Sequence, residues 1–173
     1  MKFFKHLHTI TKHRHAVMRL CFKVGLIKRG LLHDLSKYSP AEFFAGVKYY
    51  QGNRSPQAKE REELGYSAAW LHHKGRNKHH FEYWKDGKTF VEMPVEYFAE
   101  MVCDRIAASK IYLKDKYTDA SPLEYFNNKT DRTAMHEKTA EKLEYFLTLL
   151  AEKGEKETFA ELKKYVKENR KKK

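Results

Sequence analysis

Leu31-Leu32-His33-Asp34-Leu35-Ser36-Lys37-Tyr38-Ser39-Pro40-Ala41-Glu42 is the stretch from which the fold is read. Its first half closes an apolar, helix-patterned run, so Leu26 to Leu35 reads as a short helix with His33-Asp34 near its C-terminal end. Its second half opens another helix. Serine stands at the N-cap, proline at the first helical position and glutamate three residues after the cap, the pattern of a capping box. That helix runs to about Tyr50. Two helices meeting at a short polar corner, with an imidazole and a carboxylate in the corner, set the expectation for the whole chain.

Working outward, helices continue on both sides. Phe3 to Val24 carries Ile10, Val17, Leu20 and Val24 at helical spacing, and Gly25 is a natural stop. Pro56 to His73 reads as a fourth helix and Pro94 to about Lys116 as a fifth. Ser121-Pro122-Leu123-Glu124 repeats the capping-box pattern and starts a short sixth. Thr130 to Lys153 reads as an amphipathic seventh helix stopped by Gly154, and Glu157 to Glu168 as a basic amphipathic eighth. Lys85 to Thr89, with Asp86-Gly87, is a turn. With 8 glycines and 4 prolines in 173 residues there is little turn chemistry for a many-stranded sheet. The expected fold is all-α: an irregular bundle of about seven to eight helices, one domain over residues 1–173, with a frayed basic tail at about 169–173.

Composition narrows the function classes. Apolar residues make up 41% of the chain, which is globular rather than disordered. Two cysteines, Cys21 and Cys103, lie in apolar stretches and form no Cys-x-x-Cys pair, which argues against a disulfide scaffold or a zinc knuckle. No apolar run is long enough for a signal peptide or a membrane span, so a reduced, cytoplasmic protein with no membrane partner is expected. The net charge of +12 favours anionic ligands, either a phosphorylated small molecule or nucleic acid, without choosing between them. Excess lysine that merely keeps the protein soluble is the plainer reading.

The 10 histidines are more informative for where they stand than for their number. His13 lies one helix before His33-Asp34, His72-His73 end the fourth helix, and His79-His80 follow at once. Asp104 interrupts the apolar Met101-Val102-Cys103-Asp104-Arg105-Ile106-Ala107-Ala108, where a buried carboxylate needs a cation or hydrogen-bond donors. Imidazole and carboxylate together suit manganese, iron, nickel, cobalt or zinc. His72 and His73 diverge on a regular helix, so only one is expected to face the centre, and His72 is preferred. His6, His8 and His136 read as surface or packing residues.

In order and spacing, His13 with Val17 four residues on, then the apolar run into His33-Asp34, then the downstream histidines, then Asp104-Arg105-Ile106, resemble the HD superfamily of metal-dependent phosphohydrolases. The likeness spans about His13 to Ser109. His33-Asp34-Leu35-Ser36-Lys37 is similar to its HD-x-x-K form, and His72, His79 and His80 are similar to the extra ligands of binuclear members, including the HD-GYP phosphodiesterases. The Gly-Tyr-Pro signature is absent, so that group's cyclic-dinucleotide substrate does not carry over. The two signatures, HDLSKYSPxEF and HHKGRNKHH, are more similar still to a group of small bacterial and phage proteins of unknown function. The match to His-x-x-x-Val favours His13 over His15 as the first ligand.

The resemblance implies one or two divalent ions held by His13, His33, Asp34, His72, His79, His80 and Asp104, with Asp34 as a bridge. It implies hydrolysis of a phosphate ester or anhydride, with a nucleotide or related phosphorylated compound as the expected substrate. Asp34 and Lys37 would be catalytic, Lys37 as a point charge on a phosphate oxygen. Lys37, Arg76, Asn77 and Lys78 are the candidate substrate-binding residues; a solvated lysine and a plain basic loop are the bland readings of the same side chains. Tyr49, Tyr50, Tyr83 and Trp84 would stack a base or simply pack. Two rival functions remain open on the sequence: a di-iron oxygenase with the same ligand set, and a non-enzymatic nucleic-acid-binding protein.

Overall fold

The stripe His6, Ile10, His13, Val17, Leu20, Cys21 and Val24 lies along one face of the first helix at three- and four-residue steps, and all seven residues are buried. This helix, α1 (Lys2–Lys23), is the spine of a computed structural model that describes residues 1–170. It packs against α2 (Ile27–Leu32) and α6 (Val95–Leu113), and α6 in turn packs on α8 (Glu137–Arg170). Val17, Phe98, Val102, Ile106, Leu143, Leu147 and Leu162 fill the space among them, each almost wholly withdrawn from solvent. A second layer of α3 (Pro40–Lys48), α4 (Pro56–Leu64) and α5 (Ala68–Arg76) covers the N-terminal half of α1. The short α7 (Ser121–Lys129) closes the far side against α8. The all-α expectation holds: among the described residues the only sheet is a two-residue-per-strand hairpin, β1 (Lys85–Asp86) and β2 (Thr89–Phe90). No helix among them is long and apolar enough to cross a membrane.

Several boundaries differ from the sequence reading for definite reasons. α2 stops at Leu32 rather than Leu35. His33 is extended and Asp34 takes a left-handed conformation, φ 53° and ψ 26°, before a single 3-10 turn over Leu35–Tyr38. Neither capping box forms. The Ser39 hydroxyl has no partner and the Glu42 carboxylate turns to two histidines, while α7 begins at Ser121 itself, whose hydroxyl accepts from the Thr118 N–H. The expected fourth helix is two, broken at Gly65, and the second of them, α5, runs on to Arg76. The seventh and eighth helices run together as α8, bent at Gly154, and α8 starts at Glu137 after a 3-10 turn over Arg132–Ala134. Of the expected frayed tail, Asn169 and Arg170 are helical, and Arg170 Nε donates to Glu96 Oε1 at 2.7 Å; residues 171–173 lie outside the described residues.

Two glycines are dictated by geometry. Gly30 lets α2 lie on α1: a Cβ there would meet Cys21 Cβ at 2.9 Å and the Met18 carbonyl oxygen at 3.1 Å. Gly65 caps α4 at φ 78°, with nothing within 4 Å of where a Cβ would stand. Gly65→Ala therefore carries only the left-handed conformational penalty, and chemical denaturation should show a loss of about 1–2 kcal/mol. No measurable change would mean that the α4–α5 corner is made some other way.

Candidate metal centre

The residues at the α2–α3 corner explain how a His-Asp dipeptide can aim both side chains at one point. On a continuous helix they would diverge by about 100°. The extended His33 and left-handed Asp34 remove that divergence, and both side chains are buried in the gap between α1, α5 and α6. His13 reaches the gap from the buried stripe of α1 and Asp104 from α6. His79 and His80 enter from the segment after α5, whose Asn77 donates through Nδ2 to the His73 carbonyl at 2.8 Å and to Ser36 Oγ at 2.7 Å.

The two oxygens of Asp34 face opposite ways. Oδ2 lies 3.2 Å from His33 Nε2 and 3.6 Å from His13 Nε2. His13 Nε2 is also 3.0 Å from Asp104 Oδ1, which is 3.7 Å from His33 Nε2. Oδ1 lies 3.4 Å from His73 Nε2 and 3.5 Å from His79 Nε2, and His73 Nε2 is 2.9 Å from His80 Nε2. Two ligand sets result, His13/His33/Asp34/Asp104 and Asp34/His73/His79/His80, sharing Asp34. Ligands about 2.0–2.2 Å from one ion are at most about 4.4 Å apart, so these separations suit a coordination sphere.

The far sides of the imidazoles are fixed by buried carboxylates. Glu100 Oε1 lies 2.9 Å from Nδ1 of His33 and 3.3 Å from Nδ1 of His79. Glu42 places Oε2 2.7 Å from Nδ1 of His73 and Oε1 2.6 Å from Nδ1 of His72. By contrast Nε2 of His13, His33 and His79, and both oxygens of Asp34, are buried without a hydrogen-bond partner. Imidazoles held at Nδ1 by carboxylates, with bare Nε2 atoms converging, have the form of oriented metal ligands. The nitrogen and oxygen donor set fits manganese, iron, cobalt, nickel or zinc. The described residues thus contain buried His/Asp/Glu clusters able to hold a metal ion.

The charged groups of the pocket shift one another's protonation. Burial lowers the pKa of His33, but Asp34, Glu100 and Asp104 outweigh it and raise the value to about 10. Burial works against ionised Asp34, yet His33, Lys37 and His73 hold its carboxyl well below the usual range, and His13, His79 and His33 do the same for Asp104. Burial, with His79 and His73 beside it, pushes His80 well down and keeps it neutral. The lowered carboxyls stabilise the fold above their ordinary value near 3.8, and that contribution is lost as pH falls. The raised His33 stabilises it below 6.5, and that contribution is lost as pH climbs toward about 10. His6 and His80, which burial keeps neutral, destabilise the fold as pH falls below 6.5, so metal-free protein should melt highest near pH 6.5 in a calorimetric series. An optimum above pH 8 would contradict this charge arrangement.

The residues expected from sequence fall into two groups. His13, His33, Asp34, His79, His80 and Asp104 converge. His72 does not: it is half-buried against Glu42, and His73 takes its place because Ala69, His73 and Asn77 form the buried edge of α5. Lys37 Nζ sits 2.6 Å from Asp34 Oδ2, at the edge of the pocket. Arg76 and Lys78 are exposed, with Arg76 Nη1 3.4 Å from the His72 carbonyl and Lys78 over the Tyr83 ring. Asn77 is buried and holds its own turn together, so it is not free to bind a phosphate. Glu42 and Glu100 were not anticipated. Glu100 precedes Asp104 by one helical turn, and that spacing was the available signal.

No curated protein and no solved structure matches this chain. A family model does match, over residues 2–149, a span that holds the entire pocket; the chain belongs to that family, a family of unknown function (DUF5662).

Proposed function

We propose that this chain is a metal-dependent phosphohydrolase of the HD type, acting on a phosphate ester with two divalent ions bridged by Asp34. The observation that carries the reading is the convergence at one point of buried Nε2 and carboxylate atoms, among them Nε2 of His13, His33 and His79, that make no hydrogen bond of good geometry. Divalent ions there would supply Lewis acidity and water of lowered pKa, about 7 in the zinc case. His13, His33, Asp34 and Asp104 would hold one ion and Asp34, His73, His79 and His80 the other. Glu100 and Glu42 keep the imidazoles in the tautomer that presents Nε2. Lys37, at the rim, would place its ammonium on a phosphoryl oxygen as negative charge develops there.

The test is a panel of phosphomonoesters, diesters and anhydrides offered to protein loaded with manganese, iron, cobalt, nickel or zinc. Turnover that chelation abolishes is the expected result. Oxygen uptake with stoichiometric iron and no hydrolysis would replace the reading with the oxygenase. Salt-steep nucleic-acid binding that survives chelation and His33→Ala, without turnover, would replace it with the binding protein. Chelation should also lower the melting temperature by about 5–10 °C, since an ion at a hundred times its Kd adds about 2.7 kcal/mol to a domain of this size. A melting point indifferent to metal would contradict tight binding.

A further inference from the structure

Lys37 and Glu42 have a second surface. Besides meeting the metal centre, both line a cleft between the start of α1, α3, the loop before α4 and Tyr112 of α6. The cleft encloses about 50 Å³, room for roughly four water-sized groups, and so for only a few heavy atoms. It adjoins the centre through Lys37, whose Nζ lies 2.6 Å from Asp34 Oδ2, and through Glu42, which holds His72 and His73. A phosphoryl group at the metal centre would therefore direct its ester oxygen, and whatever that oxygen carries, along Lys37 into this space.

The lining specifies what fits. His6 is buried, and its Nδ1 has no partner. Burial first, then Lys37, lowers its pKa to about 4, so the ring is neutral and can donate or accept. Its other nitrogen rests on the backbone of Gly46, where a Cβ would come within 2.2 Å. Thr9 Oγ1 and Tyr50 OH pair at 2.9 Å, and Ser55, Gln57 and Tyr112 add further uncharged polar groups. Of the cations in the lining, Lys37 serves the metal centre, where it would meet the phosphoryl group being cleaved, and Arg54 is paired with both oxygens of Glu62. Nothing in the cleft is left to bind a second phosphate. A nucleobase is also a poor occupant. The His6 and Tyr50 rings meet edge to face, with centroids 5.8 Å apart and planes at 70°, so they form no parallel slot in which a base could stack.

Resting on the hydrolase reading above, we infer that this cleft is the leaving-group subsite and that the substrate is the phosphomonoester of a small, uncharged, hydroxylated alcohol rather than a nucleotide. His6, Thr9 and Tyr50 would hydrogen-bond its hydroxyls.

The test compares kcat/KM of the metal-loaded full chain for methyl phosphate, glycerol phosphate and adenosine monophosphate. Glycerol phosphate is expected to exceed both by about tenfold or more, the worth of one or two hydrogen bonds. Tyr50→Phe, which keeps the ring, and His6→Gln should each cut the glycerol-to-methyl ratio about threefold to tenfold. Because the ratio does not depend on the fraction of folded protein, a destabilised variant still reports. Adenosine monophosphate as the best ester, or a ratio that both variants leave alone, overturns the inference and leaves the hydrolase standing. Hydrolysis of none of the three, while diesters or anhydrides are cleaved, also overturns the inference alone; no turnover of any phosphate compound overturns both.

Discussion

Asp34→Ala is expected to abolish metal uptake and turnover together. Asp34 is the one side chain common to both ligand sets, with Oδ2 facing His13 and His33 and Oδ1 facing His73 and His79. Truncation would leave three candidate ligands in each set and remove the carboxylate the two sets share. It also weakens the local counter-charge, because Lys37 loses its 2.6 Å partner and His33 one of its three acidic neighbours. The loss of several kcal/mol of electrostatic stabilisation corresponds to at least about a thousandfold in rate. Elemental analysis beside single-turnover kinetics checks this. A variant that keeps two ions per chain would show that Asp34 does not bridge.

Glu100→Ala should be nearly as damaging, although Glu100 does not itself face the shared oxygen cluster of Asp34. Its Oε1 is the acceptor for Nδ1 of both His33 and His79, and its Oε2 faces Arg29 at 3.7 Å. Without it, two buried N–H groups lose their acceptor, at about 1–3 kcal/mol each, and one ligand in each set is free to rotate. Metal affinity should fall about 10- to 100-fold, the range typical of carboxylates behind metal-bound histidines. Glu100→Gln keeps one acceptor oxygen and should lose less of both. Competition with a chelator of known affinity separates the two variants. Equal affinities for wild type and Glu100→Ala would mean that the imidazoles are aligned by packing alone.

Periodicity alone placed Ile10, Val17, Leu20 and Val24 on the buried stripe of α1, because burial every three or four residues is written directly in residue type, whereas His13 came from the resemblance to the HD superfamily. Asp104 was legible for a different reason, since a carboxylate inside an apolar run calls for a partner, and His33-Asp34 through its place after an apolar run and its likeness to the HD pair. What the chain does not write is rotation about a helix axis. His72 and His73 are chemically identical, and choosing between them needed the way α5 lies on α3, with Ala69 inward and Leu71 exposed. Backbone detail was hidden too. A left-handed Asp34 is set by the corner it turns, and no pattern of apolar residues announces it. Glu42 was misread because a capping box and a carboxylate that orients histidines look the same in sequence; only the position of His72 and His73 across the corner distinguishes them.

The central claim is that the pocket around Asp34 is a divalent-metal centre. Elemental analysis of the purified chain, after exposure in turn to manganese, iron, cobalt, nickel and zinc, tests it most directly. The account predicts close to two ions per chain for at least one of these metals, and almost none in Asp34→Ala. A wild-type chain that stays metal-free with all five would contradict it.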